Sequence, residues 1–355
     1  MKKVYRIEIL SPLHIGNGNK INPIEYLLDE KFYRIDMDSL FKDENFAVNK
    51  FIEKANKCFY LGDFYPNIAK QHIKYSLEIS EELKKKKKIK EIHEFIKSGG
   101  RVYIPGSSIK GAIRTALLYY AIKNDEWLFN LSKNHVLQLS IIGGNKKKAD
   151  DVIEEKFFGR ITHDFMKALI ISDSNLKSPS CLKLQLIKAF SINIADKPYQ
   201  KLDLLAECIK IGSEFKLDIK LEDFYFKEAR ELGFSSKKKY LDNLPQICNE
   251  YSKELIDYEL KFYRKYKMQD LVEFYEKLDA EKGFLLRISW GSGWHSMSIA
   301  RIFQEEPFFM ELRKRFNLGK RRNYPYFVDI FPKSRKVVFD DKIYPLGWIK
   351  LEEIK

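Results

Sequence analysis

Three short segments concentrate the residue types that could hold or transform a polyanion. The first is Ser11-Pro12-Leu13-His14-Ile15-Gly16-Asn17-Gly18. Gly16, Asn17 and Gly18 permit positive φ, so backbone amides there can turn outward and cradle a phosphate or a base edge, and His14 could act as a general base. A plain connecting loop with a structural histidine accounts for the same residues. The second runs from Tyr103-Ile104-Pro105 through Gly106-Ser107-Ser108-Ile109-Lys110 to Arg114. It reads as a helix start, where unpaired N–H groups and the helix dipole favour an anion. Gly106, Ser107 and Ser108 would allow close approach, with either serine as N-cap, and Lys110 and Arg114, four apart, share one face. An ordinary capped amphipathic helix with solvated cations fits equally well. In the third, Gly291, Ser292 and Gly293 lie between Trp290 and Trp294. That combines a backbone nest with stacking surfaces, although two tryptophans can equally anchor a loop in the core.

Catalysis needs a positioned constellation, and none is legible. The six histidines (14, 72, 93, 135, 163 and 295) form no HExxH pair, and the carboxylates form no two-metal pattern. Asp173 follows a strand and reads as a turn former. The four cysteines, Cys58, Cys181, Cys208 and Cys248, are far apart without a CxxC, which predicts reduced thiols, no metal site and no cofactor. The alternative is a metal-independent endoribonuclease using His14 or His295 as the base on a ribose 2′-OH.

The elements that must position these segments follow from periodicity. Residues 3–10 alternate as a half-buried strand, and Glu25–Leu28 with Phe32–Ile35 predicts a hairpin. From 38 to 100 the Lys-rich, helix-period sequence predicts a helical insertion, with the run Lys84–Lys88 on a solvated face. Ile109, Ala112, Ile113, Ala116, Leu117 and Tyr120 form a continuous helical stripe. A second helical insertion covers 124–160. Strands return at Ala168–Ser172, Cys181–Ile194, Leu202–Ile211 and Phe215–Leu221, the last two joined by a Gly212-Ser213 turn. A helical stretch follows over 240–280, then a strand at Phe284–Ser289, a helix from His295 to Phe303, a strand at Lys336–Phe339 and a Pro345-Leu346-Gly347-Trp348 turn. Without insertions the order is strand, helix, strand pairs, helix, strand: an α+β, ferredoxin-like (RRM-like) core. Its parts are 1–37 with the first glycine loop, 101–123 with the core helix and 161–294 with the remaining strands, second helix and late loop. Residues 295–355 read as a C-terminal cap.

The charge balance narrows the partners. Lys and Arg number 64 against 50 acidic residues, a net charge of +14, which favours RNA, DNA or an anionic surface. The charged start (Lys2, Lys3, Arg6, Glu8) and the lack of a long apolar run predict a cytoplasmic protein that does not engage a membrane.

Together and in this order, the three segments resemble the RAMP superfamily of CRISPR-associated RNA-binding proteins. There an early HIGxG turn, an IPGSSIKGAIRTAL helix start and a late glycine loop recur. Ala168–Ser174, Arg287–Trp294 and the terminal Pro345-Leu346-Gly347-Trp348 are further similar to the fifth subunits of type III-A (Csm) effector complexes. The resemblance implies a non-catalytic backbone subunit at the 3′ end of the CRISPR RNA, packed against the third and second Csm subunits. It would support crRNA maturation and antiviral defence, in part by recruiting trimming nucleases. RNA contacts would fall on His14, Gly16, Gly18, Gly106, Ser107, Ser108, Lys110, Arg114, Gly291, Ser292, Gly293 and Trp294. A RAMP subunit holding the 5′ tag is a second possibility within the family. One departure stands out: the family's late loop reads GWGSG, and Ser289 here occupies its first glycine position.

Overall fold

The structure is a computed structural model that describes residues 2–55, 59–84, 91–143, 149–193, 195–228, 233–319 and 330–354. Two sheets organise it. The smaller begins with β1 (Lys2–Ile9), where Tyr5, Ile7 and Ile9 are buried. Arg6, on the opposite face, reaches Glu214 and Glu352 on the two flanking strands. In the numbering used here, β2 is Gly16–Ile21, β3 Tyr26–Leu28, β4 Phe32–Ile35, β5 Ile73–Ile79, β6 Ile92–Phe95, β7 Lys97–Ser98 and β8 Arg101–Val102. There follow β9 (Leu169–Ile171), β10 (Leu182–Ile192), β11 (Pro198–Ile209), β12 (Glu214–Leu221), β13 (Phe284–Arg287), β14 (Ser334–Phe339), β15 (Ile343–Pro345) and β16 (Trp348–Ile354). The principal helices are α1 (Gly106–Asn124), α2 (Glu126–Ile141), α3 (Asp151–Phe158), α4 (Leu244–Lys265) and α5 (Gln269–Glu276).

The smaller sheet is antiparallel throughout, in the order β13-β16-β1-β12-β9. With β13 set aside, β16-β1-β12-β9 has the fourth-first-third-second order and the antiparallel senses of a ferredoxin-like core, with α1 and α4 as its two helices. The helices meet through Tyr119 and Tyr251, whose rings lie 5.2 Å apart edge to face, and one cluster of buried apolar side chains takes in both helices, this sheet and the larger one. The α+β, ferredoxin-like expectation thus describes the core.

Several boundaries differ from the sequence reading. The tail is no cap: β16 pairs on both sides, with β1 and β13, and Trp348, Ile349 and Leu351 are fully buried. Burial of such side chains stabilises by roughly 1.5–3 kcal/mol each, enough to draw the tail into the sheet centre. Residues 38–100 are helical up to Ala69 and again only in the short turn Glu81–Lys84 among the described residues; β5, β6 and β7 fall in the same range, because Ile-Lys-Tyr-Ser-Leu-Glu-Ile alternates and buries Leu77 and Ile79. The predicted pairing across Gly212-Ser213 does not form. That turn, with Gly212 at φ +77, carries the chain from β11 in the larger sheet to β12 in the smaller, while β11 pairs with β10. The larger, nine-stranded sheet runs β2-β6-β11-β10-β5-β4-β3, with β14 added to β10 and β15 to β14. Of the lysine run, Lys84 pairs with Glu81; Lys85–Lys88 lie outside the described residues, as do Cys58, Gly144 and Ile194. No helix among the described residues is long and apolar enough to cross a membrane.

Candidate nucleic-acid interface

Strands β1, β9 and β13 run parallel to one another, since each is an even number of antiparallel steps from the others. Their C-terminal ends therefore lie at one end of the sheet, and the early loop, the Asp173 turn and the late glycine loop all leave from that end. β9 and β13 occupy opposite edges, however. Four strand spacings of about 4.8 Å put them roughly 19 Å apart, so the helix start beside β9 and the late loop after β13 are separate features.

The helix start is filled by the protein itself. Pro105, not a serine, occupies the N-cap, and the Gly106 N–H donates to Asp173 Oδ1 at 2.8 Å. The anion favoured at this terminus is thus a carboxylate of the chain. Gly106 is needed for a packing reason: a Cβ there would stand 2.4 Å from the Ile171 carbonyl oxygen. Lys110 donates to the Leu169 carbonyl at 2.7 Å, and burial lowers the pKa of its ammonium. Arg114 forms ion pairs with Glu154 at 2.9 Å and Asp164 at 2.6 Å, with its guanidinium 3.7 Å from the Phe158 ring centre. These cations are not solvated on an open face; they bind β9 and α3 to α1. Ser107 is exposed and Ser108 half-buried, its N–H donating to Pro105 O.

The early and late loops, in contrast, come together. Trp290 N–H donates to His14 O at 3.2 Å, Gly347 N–H to Pro12 O at 3.1 Å, and Ile288 N–H to Gly347 O at 2.8 Å. His14 is 2% exposed, its Nδ1 lies 2.7 Å from the Glu207 carbonyl, and burial lowers its pKa to about 4. Gly16 and Gly18 are exposed on β2, and Gly18 adopts φ +91 with open space around it. Neither tryptophan is a free stacking surface. Trp290 has His93 5.0 Å away, ring to ring, and Lys336 Nζ 3.8 Å from its ring centre; Trp294 packs at 4.9 Å against Phe331. Ser292 is buried and donates to Ser289 O. Gly291 and Gly293 adopt φ +95 and +89, and a side chain at Gly291 would strike Leu346. Ser289 also takes positive φ, +89, which accounts for glycine being the family residue there.

Behind this loop lies a cluster that the sequence did not disclose. Glu259 on α4, fully buried, accepts from Arg335 Nε at 2.8 Å and lies 3.4 Å from His295 Nδ1 and 3.7 Å from Arg287 Nη1. Burial opposes its charge, but Arg335, the His295 contact and Arg287 outweigh it and hold the carboxyl well below its usual range. His295 is 1% exposed and, chiefly through burial, has its pKa lowered to about 4. The glycine loop and this cluster line a cleft of about 520 Å³ that also takes in Lys201, Leu202, Met297 and Lys336. Apart from the glycines no pattern marks these residues, since Arg287 ends an otherwise apolar strand and Arg335 sits in an unremarkable one.

The RAMP superfamily model matches residues 6–282. A Methanocaldococcus jannaschii protein named CRISPR system Cms protein Csm5 is 26% identical, over 98% of this chain and 88% of its own length. A Streptococcus thermophilus protein of the same name is 25% identical, over 74% and 77%. Among solved structures, a chain from a cryo-EM structure of a Csm–crRNA–target RNA ternary complex of a type III-A CRISPR-Cas system superposes with a TM-score of 0.81 at 26% identity, covering 99% of this chain and all of that one. The crystal structure of T. onnurineus Csm5 gives a TM-score of 0.70 at 23% identity and supports the fold.

Proposed function

This chain belongs to the RAMP superfamily and is Csm5-like, and we propose that it is the non-catalytic crRNA-binding subunit at the 3′ end of a type III-A effector complex. One observation carries the reading. The late glycine loop borders a cleft of nucleotide-accommodating size whose lining carries Arg287, Arg335, Lys201 and Lys336 against Glu259 alone. Four cations facing one carboxylate favour a polyanion. RNA binding is assigned to this cleft and to the exposed β2 edge with Gly16 and Gly18, in place of the helix start. The complex would act in the cytoplasm, with the third and second Csm subunits as neighbours and trimming nucleases as visiting partners. Residues 101–123 and 161–294 would form its RAMP core.

The endoribonuclease alternative requires an imidazole that reaches a ribose hydroxyl. His14 and His295 are 2% and 1% exposed, with ring nitrogens engaged by Glu207 O, Gln304 and Glu259, which argues for the binding role. The test is titration of labelled single-stranded RNA across salt concentrations, with gel analysis of its integrity. Sequence-tolerant binding, a log–log salt slope of about −0.7 per phosphate and intact RNA are expected. Failure to bind, a slope near zero, or cleavage that disappears in His14→Ala or His295→Ala would overturn the proposal.

A further inference from the structure

The cluster behind the glycine loop holds more positive charge than the protein itself satisfies. Arg287 and Arg335 are 5% and 7% exposed, so about nine-tenths or more buried. Arg287 Nε donates to Leu346 O at 3.0 Å; Arg335 Nε donates to Glu259, and its Nη1 to Pro332 O at 2.7 Å. Arg287 Nη1 and Arg335 Nη2 have no hydrogen-bond partner among the described residues. Two guanidinium groups share one carboxylate, and the imidazole beside them is neutral at pH 7. A buried cation with unmet donors is costly, and the stable arrangement adds an acceptor with negative charge.

The cleft offers room for one. Both arginines line its wall, and half-buried Lys336, with no carboxylate partner among the described ion pairs, lines it beside exposed Lys201. Leu202 and Met297 are 52% and 69% exposed and line the same cleft. Basic groups together with an exposed apolar pair match the two halves of a nucleotide. The lining charge is +3 (Arg287, Arg335, Lys201 and Lys336 against Glu259), which suits a phosphate dianion better than an internal phosphodiester with one negative charge.

We propose that this cleft binds the terminal nucleotide of an RNA through a 3′-phosphate, held by Arg335, Arg287 and Lys336 with the base against Leu202 and Met297. The two unmet nitrogens are themselves buried, so binding requires the wall side chains to move far enough to bring them to the phosphate oxygens. The choice of the 3′ terminus rests on the 3′-end reading of the preceding section; the phosphate site itself rests on the cleft.

The test uses the full chain and synthetic single-stranded RNAs of one sequence ending in 3′-hydroxyl, 3′-phosphate or 5′-phosphate, with inorganic phosphate as competitor. The 3′-phosphate RNA should bind about tenfold tighter than the 3′-hydroxyl RNA, the gain of one charge-assisted contact. Millimolar inorganic phosphate should erase that difference and leave the rest of the affinity. Arg335→Lys, which keeps a cation for Glu259, and Lys336→Gln, a half-buried rim change, should each bring the ratio of the 3′-phosphate to the 3′-hydroxyl affinity, measured on the same variant, close to one, whatever either does to RNA binding in general. If Arg335→Lys does not fold, Lys336→Gln decides the matter alone. Equal affinity for the 3′-phosphate and 3′-hydroxyl RNAs, or a preference for the 5′-phosphate, overturns the inference. Loss of all RNA binding by the wild-type chain would instead overturn the function proposed above, so the two failures are distinguishable.

Discussion

Ser289 occupies a backbone conformation suited to glycine, and replacing it should stabilise the protein. Its φ of +89 is a region where an L side chain crowds the following carbonyl, at a cost of about 1–2 kcal/mol. Ser289→Gly removes that crowding and forfeits a hydroxyl contact with Trp290 O, long at 3.4 Å. It also frees the unfolded chain, which returns about 0.4–1 kcal/mol. The net gain is about 0.5–1 kcal/mol. At about 2.1 cal/mol/K of unfolding entropy per residue, a chain of 355 residues shifts by roughly 1.3 °C per kcal/mol, so Tm should rise by about 1 °C. Thermal unfolding followed by circular dichroism measures it, with Ser289→Ala as the companion variant. Alanine keeps the Cβ and loses only the hydroxyl, so it should not share the gain. Gly291→Ala should move the other way, because its Cβ would sit 2.6 Å from Leu346 Cδ1 at φ +95. A fall in Tm for Ser289→Gly, or an equal rise for Ser289→Ala, would refute the strain argument.

Two further outcomes are expected. Arg114→Met should cost about 1–3 kcal/mol of stability by urea unfolding, since it leaves Glu154 and Asp164 without their guanidinium, while RNA affinity and salt slope stay unchanged; unchanged stability with a shallower salt slope would restore the phosphate reading of this helix. Stability should also fall as pH drops from about 7 to 5. His14 and His295 have native pKa values lowered to about 4 from 6.5, so in this window the unfolded chain binds protons that the native chain refuses. The contribution is full above 6.5, falls by about 2 kcal/mol per histidine at pH 5, and is gone below 4; a flat profile between pH 7 and 5, or one that His14→Gln does not flatten, would contradict it.

The legible parts of this fold are those encoded over short range. β1 and the α1 stripe carry their own periodicity, and both lie where the sequence puts them. The β16 alternation was equally available in Trp-Ile-Lys-Leu-Glu-Glu-Ile, but its meaning depends on β1, 346 positions away where Arg6 meets Glu352. The β5 pattern was obscured by lysine-rich flanks whose composition resembles a helix surface. Cation roles were the least legible. Lys110 and Arg114 take the same spacing whether they meet a phosphate or a carbonyl and two carboxylates, and their partners lie 40 to 59 residues away. The position of Glu259 on a polar-looking helix says nothing of its burial, since only the assembled fold brings Arg287 and Arg335 to it.

The helix start and the late loop owe their glycines to different constraints, and that separates their roles. Gly106 is required by close approach to β9 carbonyls at a helix end already capped by Asp173, so it serves a joint. Lys110 and Arg114 complete that joint by tying the same helix to β9 and α3. Gly293, at φ +89 with nothing within 4 Å of its would-be Cβ, is required by backbone shape alone and sits on an exposed rim. A glycine kept for shape beside open space leaves amides and room for a ligand, whereas one kept for close packing leaves neither. Free amides and room for a ligand therefore lie at the β13 edge of the sheet, where the RNA contact is proposed, and the β9 edge holds the core helix in register.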